Sequence, residues 1–266
     1  MATLNLGDSM ATIKFSSTKL QNSNKKGVLP CDEDGYYTMA IGGLNAYNSA
    51  GQYYLLEGAK QLFEESSILM RRIKNGAVKA EVGHPKKLPG MTNDDFLNRI
   101  LQIYEDNVCA HFKEIWLDDQ FGKKNPEYKN PNLVAIMAKV KPSGAKGDSL
   151  KASFENVNEN VCFSIRSLTR DFYEKGQYYR VLQSIITFDF VNEPGIAHAN
   201  KWAAPALENN SLCLESFEDC NVSVDELRRI VEDHNMVATE SAQIAMDCLN
   251  SLKVVNIPII PLYHKW

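Results

Sequence analysis

The chain has 266 residues, 44% of them hydrophobic, and a formal net charge of −4. That is enough to bury one large domain, or one domain with appendages, and it is not a disorder-type composition. Its Lys and Arg are scattered rather than blocked, which gives no basic footprint for nucleic acid. The start, Met1 to Asp8, has neither a positive region nor an apolar stretch, and no apolar run reaches the roughly 20 residues of a bilayer span, so neither secretion nor a membrane partner is expected. The six cysteines (Cys31, Cys109, Cys162, Cys213, Cys220, Cys248) form no C-x-x-C pair, which points to reduced thiols and a cytoplasmic setting.

Residues 1–75 read as short strands and one helix packed on the core. Ala11 to Ser16 alternates as a half-buried strand, followed by a polar loop at 21–27. Tyr36 to Ile41 is a second strand, closed by Gly42 and Gly43. Tyr54, Leu55, Ala59, Leu62 and Phe63 recur at helical spacing and predict a helix over 52–65, with Ser66 to Ile73 a strand again.

Ala77 to Val82 is a β run that stops at Gly83-His84-Pro85, where Gly permits unusual dihedrals and Pro cannot continue a ladder. Taken alone, His84 is a turn histidine. Asn93 to Glu105 predicts a helix, with Asp94 and Asp95 in its first turn complementing the dipole. Val108 to Leu117 is a strand carrying His111, residues 118–132 are a polar connection, and Leu133 to Lys141 is a strongly apolar strand. The Pro142 to Gly147 loop lacks the spacing of a phosphate cradle.

Val161 to Arg170 is an apolar run that carries Ser164 and, two residues on and hence on the same face, Arg166. A hydroxyl so placed is a candidate nucleophile, although Ser beside Arg is common in strands. Arg170 to Gly176 reads as a turn of helix or a loop, and Tyr179 to Val191 as a long buried strand or strand pair. Within it, Asp189 stands between Phe188 and Phe190, where a lone charge would be costly and must have a partner. Residues 203–221 are irregular and acidic. Ser223 with Glu226 forms a capping box that opens a helix to about residue 252, packed on the core or on another copy of the chain as a homo-oligomer. The chain thus divides into 1–75, a core at 76–202, and 203–266.

The five histidines include no H-x-x-x-H pair, and neither a metal nor another cofactor is expected. What remains is His84, His111, Ser164 and Asp189, the parts that acyl transfer needs: a nucleophile, a base, and a group to orient the base.

These residues resemble the prohead core, or head-maturation, proteases of large tailed bacteriophages, and more distantly the herpesvirus assemblins. Glu81-Val-Gly-His84-Pro85 is similar to that family's G-E-x-x-H-P motif, Ser164-Ile-Arg166 to its S-x-R-G motif, and Ile186 to Pro194 to the strand and Pro that follow. Ala80 stands where the family often has Gly, and Ser167 where Gly commonly follows the Arg. The resemblance implies Ser164 as nucleophile, His84 as general base and Arg166 near the oxyanion, with Asp189 or its rival His111 as third member. It also implies an α+β fold, a mostly antiparallel β-barrel core surrounded by helices. The implied partners are phage scaffold and major capsid proteins, cut inside the assembling prohead in the host cytoplasm, after Glu, with self-processing. A glutamate side chain needs a cation, and Lys141, Lys146, Arg166 and Arg170 are the candidates. Self-cleavage would fall at Ser216-Phe-Glu218 rather than at Ser153-Phe-Glu155 in the core. The alternatives are a non-enzymatic capsid or scaffold-associated protein on the same fold, or a small-molecule serine hydrolase, the latter disfavoured because G-x-S-x-G is missing.

Overall fold

The computed structural model describes residues 12–17, 28–203 and 218–223, with positions 225, 228, 229 and 246 beyond them. In chain order these hold β1 (Thr12–Ser17), β2 (Tyr37–Leu44), β3 (Ala46–Tyr47), β4 (Tyr53–Tyr54), α1 (Ile68–Lys74), β5 (Lys79–Glu81), α2 (Asn93–Leu101), β6 (Val108–Asp118), α3 (Phe121–Lys124), β7 (Val134–Pro142), α4 (Gly147–Glu155), β8 (Cys162–Glu174), β9 (Gln177–Val191) and β10 (Glu218–Ser223).

The longest pairing is the β8–β9 hairpin. Its two-residue turn, Lys175-Gly176, has positive φ at both positions (50° and 81°), the combination whose twist matches that of the flanking strands. That turn sets the register along both strands. Register shifts after Arg166 and after Leu168 bend the hairpin. One sheet runs β10-β1-β8-β9-β4-β3 and the other β2-β7-β6-β5. They meet where β5 ends: Val82 bridges Phe190 in parallel, and the Gly83 N–H donates to the Phe190 carbonyl at 2.6 Å. The result is a curled, mostly antiparallel sheet with few helices, an α+β fold.

The core lies inside the curl. Phe112 of β6 meets Phe163 and Phe188 edge to face at 5.7 and 5.8 Å, with Ile41, Ile136, Leu182 and Ile185 buried around them. Close approach explains one glycine: a Cβ on Gly43 would sit 2.4 Å from His198 Cε1. The two glycines expected to close β2 therefore lie inside it, and the strand bulges between Ala40 and Gly42.

Other expectations need correction. The stretch 52–65 is no α-helix but β4 and one 3-10 turn, Lys60–Phe63. The strand expected at 66–73 is α1: Ser67 caps it by accepting from the Met70 N–H, and Leu69, Arg72 and Ile73 bury one face. The polar connection at 118–132 contains α3, anchored by the buried Phe121. The segment after Gly147 is α4, which was not foreseen. Arg170 to Glu174 continues β8 instead of turning. Within the stretch read as irregular, Glu218–Ser223 is β10, paired with β1. Helix α2 follows its capping box, Thr92 with Asp95. Within the first division, β2 is a full member of the four-stranded sheet. The loop at 21–27, most of the helix at 223–252 and the tail at 257–266 lie outside the described residues. Among the described residues no helix is long and apolar enough to cross a membrane.

Candidate active site

Both faces of β8 and β9 are covered, which is why residues from Cys162 to Thr169 are buried without alternation. Phe163 and Phe188 turn to the core, while Ser164, Arg166, Thr187 and Asp189 share the opposite face, towards β5. The hairpin register puts Ser164 directly across from Asp189. Such partners have Cβ atoms about 4.5–5.5 Å apart.

His84 reaches this face from beyond β5. Gly83 takes a positive φ of 71° and is bonded to the Phe190 carbonyl, so the chain turns beside Asp189. The His84 Nδ1–H then donates to Asp189 Oδ2 at 2.7 Å, with the two side chains 2% and 0% exposed. Burial alone would push the Asp189 carboxyl up. The Arg166 guanidinium and His84 outweigh it and hold the group below the usual carboxylate range, so it is ionised.

Arg166 does not point at a substrate. Its Nε donates to Asp189 Oδ2 at 2.8 Å and its Nη2 to Oδ1 at 2.6 Å, a two-pronged clamp. Nη2 also reaches Glu81 Oε2 at 3.0 Å, and Nη1 reaches the Gln102 carbonyl at 3.0 Å. A guanidinium so committed, with no exposure at all, is not placed to donate to an oxyanion, and the expectation for Arg166 is corrected accordingly. His111 is also elsewhere: Tyr36 Oη lies 3.0 Å from its Nδ1, and its Nε2 lies 3.1 Å from the Gly76 carbonyl. Of the two rivals for third member, the one bonded to His84 is Asp189.

A serine, a buried histidine and an ionised aspartate on one curled sheet are the parts of a serine peptidase. The peptidase S80 family model matches residues 15–252 of the chain. The chain belongs to the peptidase S80 family. It is 40% identical over 201 residues to the capsid maturation protease of Pseudomonas phage phiKZ, covering 74% of this chain and 72% of that protein. The solved structure of the bacteriophage T4 capsid assembly protease aligns with a TM-score of 0.35 at 11% identity, covering 69% of this chain and 96% of that one.

In this peptidase Ser164 is 8% exposed, and its residue borders a small cleft with room for about one water. Ile41, Tyr54, Phe163, Ile165 and Ile196 make it apolar. Asn48 also lines it, but its amide is turned into its own loop, bonding Gln52 and the Ala50 N–H. The four cations suggested for glutamate recognition do not line this pocket. Lys141 donates to the Asp34 carbonyl, Lys146 is exposed beside α4, Arg170 is exposed on β8, and Arg166 is on Asp189.

Glu81 was read only as part of a motif. It is wholly buried, and Arg99 Nη2 donates to its Oε2 at 2.5 Å, Arg166 to the same oxygen, and the Tyr104 N–H to Oε1. The argument that singled out Asp189 applied to it equally, since Glu81 stands between Ala80 and Val82 in a β run. Among the described residues no cluster of His, Cys, Asp or Glu could hold a metal.

Proposed function

We propose that this peptidase matures phage capsids by cutting scaffold and major capsid proteins inside the prohead, with Ser164 as nucleophile, His84 as general base and Asp189 as the group that orients it. The observation that carries the reading is the 2.7 Å bond from His84 Nδ1 to an Asp189 that lies across from Ser164. With Nδ1–H committed to the carboxylate, Nε2 is the nitrogen that takes the Ser164 Oγ proton as the oxygen attacks the scissile carbonyl. The imidazolium so formed faces an ionised Asp189, then gives its proton to the leaving amine, and water releases the acyl group by the same route. With Arg166 committed, the oxyanion is received by backbone N–H groups beside Ser164. Kinship to the herpesvirus assemblins is kept as an analogy of fold, supported by a serine on a strand of a curled antiparallel sheet. Family membership decides against the non-catalytic capsid protein and the small-molecule hydrolase.

Cleavage after glutamate rests on the motif resemblance. The small cleft beside Ser164 has no cation in its lining, so a glutamate side chain would be seated elsewhere. Self-processing is expected after Glu218 rather than Glu155, whose neighbour Phe154 is buried within α4. The Glu218–Asp219 bond lies in β10 at the sheet edge, opposite Ser16 and Ser17 of β1, so the strand must peel away before it can be cut. Concentrated wild-type protein should slowly release a fragment beginning at Asp219, and Ser164→Ala should not. N-terminal sequencing decides: fragments that Ser164→Ala also yields would refute Ser164 as nucleophile, and cuts after other residues would refute the glutamate preference.

A further inference from the structure

Four charges alternate behind the catalytic face. Asp189 is clamped by Arg166, Arg166 also binds Glu81, and Glu81 is held in turn by Arg99 of α2. The side chains of Asp189, Arg166 and Glu81 are 0% exposed and that of Arg99 12%. Their formal charges sum to zero. Burying any one of them without its partners would be expensive, and a well-packed apolar cluster would serve stability as well or better. Stability alone therefore does not account for the arrangement.

Its geometry answers to a different demand. Asp189 Oδ2 accepts from both His84 Nδ1 and Arg166 Nε, while Oδ1 accepts from Arg166 Nη2 and, at 3.4 Å, from the Glu81 N–H. With both oxygens held from behind, the carboxylate plane cannot turn, and the imidazole bonded to it is held in one orientation. Arg166 has the same restriction, because Glu81 and the Gln102 carbonyl fix the far side of its fork.

We infer that Arg166 and Glu81 are positioning residues for the reaction: Arg166 holds Asp189 in the orientation that receives His84, and Glu81 anchors Arg166 and balances its charge. The inference rests on the Ser164, His84 and Asp189 assignment above. During the reaction a proton arrives on His84, and the cluster passes from neutral to a net charge of +1. Glu81 then makes that cation easier to form, so its charge is felt at the base although it touches no substrate. The other groups facing the cluster leave this balance unchanged. Burial pushes the Cys109 thiol of β6 up, so it is neutral, and Arg72 of α1 lies on the Ile186 carbonyl. Lys79 and Glu105 pair with each other at the surface.

The test is the rate at which a fluorophosphonate probe acylates the serine, measured against pH, with the modified residue located by mass spectrometry and folding checked by thermal melting. Wild type should be labelled at Ser164. Glu81→Gln should label roughly 10- to 100-fold more slowly, as expected when a reacting geometry loosens. Loss of one negative charge disfavours the imidazolium, so the acid limb should move to lower pH, on the order of 1 pH unit. Glu81→Asp, which keeps the charge, should return the limb to its wild-type position. Arg166→Lys keeps the charge but loses the fork, and should slow labelling without moving the limb. A folded Glu81→Gln with wild-type rate and pH profile would overturn the inference. If that variant does not fold, wild-type labelling in Arg166→Lys would overturn it. Wild-type protein that is not labelled at Ser164 would instead refute the active-site assignment.

Discussion

Ser164 and Asp189 are cross-strand partners in one hairpin, placed by a distant two-residue turn at Lys175-Gly176. The proposed nucleophile and the carboxylate therefore belong to one hairpin. His84 alone has to be brought from elsewhere: β5 pairs with β6, and just past its end Val82 bridges Phe190 of β9.

This arrangement separates the two former rivals by experiment. Asp189→Asn should lower kcat by about 10⁴-fold, because an amide no longer fixes the histidine tautomer. It should also melt at a lower temperature, since Arg166 would lose one of its two carboxylate partners. His111→Gln should keep kcat within a few-fold of wild type, because both ring nitrogens of His111 serve Tyr36 and Gly76. Peptide hydrolysis by the folded fraction of each variant decides the matter, and the reverse pattern would transfer the role to His111.

A buried lysine closes α4. Lys201 is 0% exposed, and its Nζ donates to the carbonyls of Ser153, Phe154 and Asn156, three acceptors at the end of the helix. Lys201→Met fills the space but supplies no donor, and should cost about 2–4 kcal/mol. Urea unfolding should show a lower midpoint with an unchanged slope. An unchanged midpoint would mean that water satisfies those carbonyls equally well.

His198 gives stability a pH dependence of its own. Its ring lies against Phe121 and Tyr128 with Nε2 donating to the Gly42 carbonyl at 3.1 Å, and burial pushes its pKa down to about 4. The unfolded chain takes up a proton near pH 6.5 while the folded chain does not until about pH 4. Stability is therefore full above pH 6.5 and falls through that window, by about 3 kcal/mol for this one group. His198→Gln keeps a donor for Gly42 without titrating. Denaturation curves at pH 7 and pH 4 should show a smaller difference for the variant than for wild type, and equal differences would show that His198 is protonated within the fold.

The candidate site positions were singled out without coordinates by short local motifs and the resemblance they carry. Only the carboxylate between two phenylalanines is unusual for a physical reason that its neighbours reveal; the serine in an apolar run and the histidine at a strand end stand out through their motifs. Local signals also serve for strands β6 and β7 and for the start of α2, where periodicity and Asp94 and Asp95 in the first turn suffice. Residues 66–73 were misread because a short apolar run fits either a strand or a helix face, and only burial of Leu69 and Ile73 against the sheet decides between them. Partnership between charges is out of reach for the same kind of reason. Arg166 shares a strand face with Ser164, which suggested an oxyanion contact, but a buried guanidinium goes to the nearest buried carboxylates. Those are Asp189 and Glu81, which are distant in the chain and are brought together only when β5 closes against β9. Which side chain the folded sheet sets against His84, Asp189 and not His111, is likewise a matter of tertiary structure.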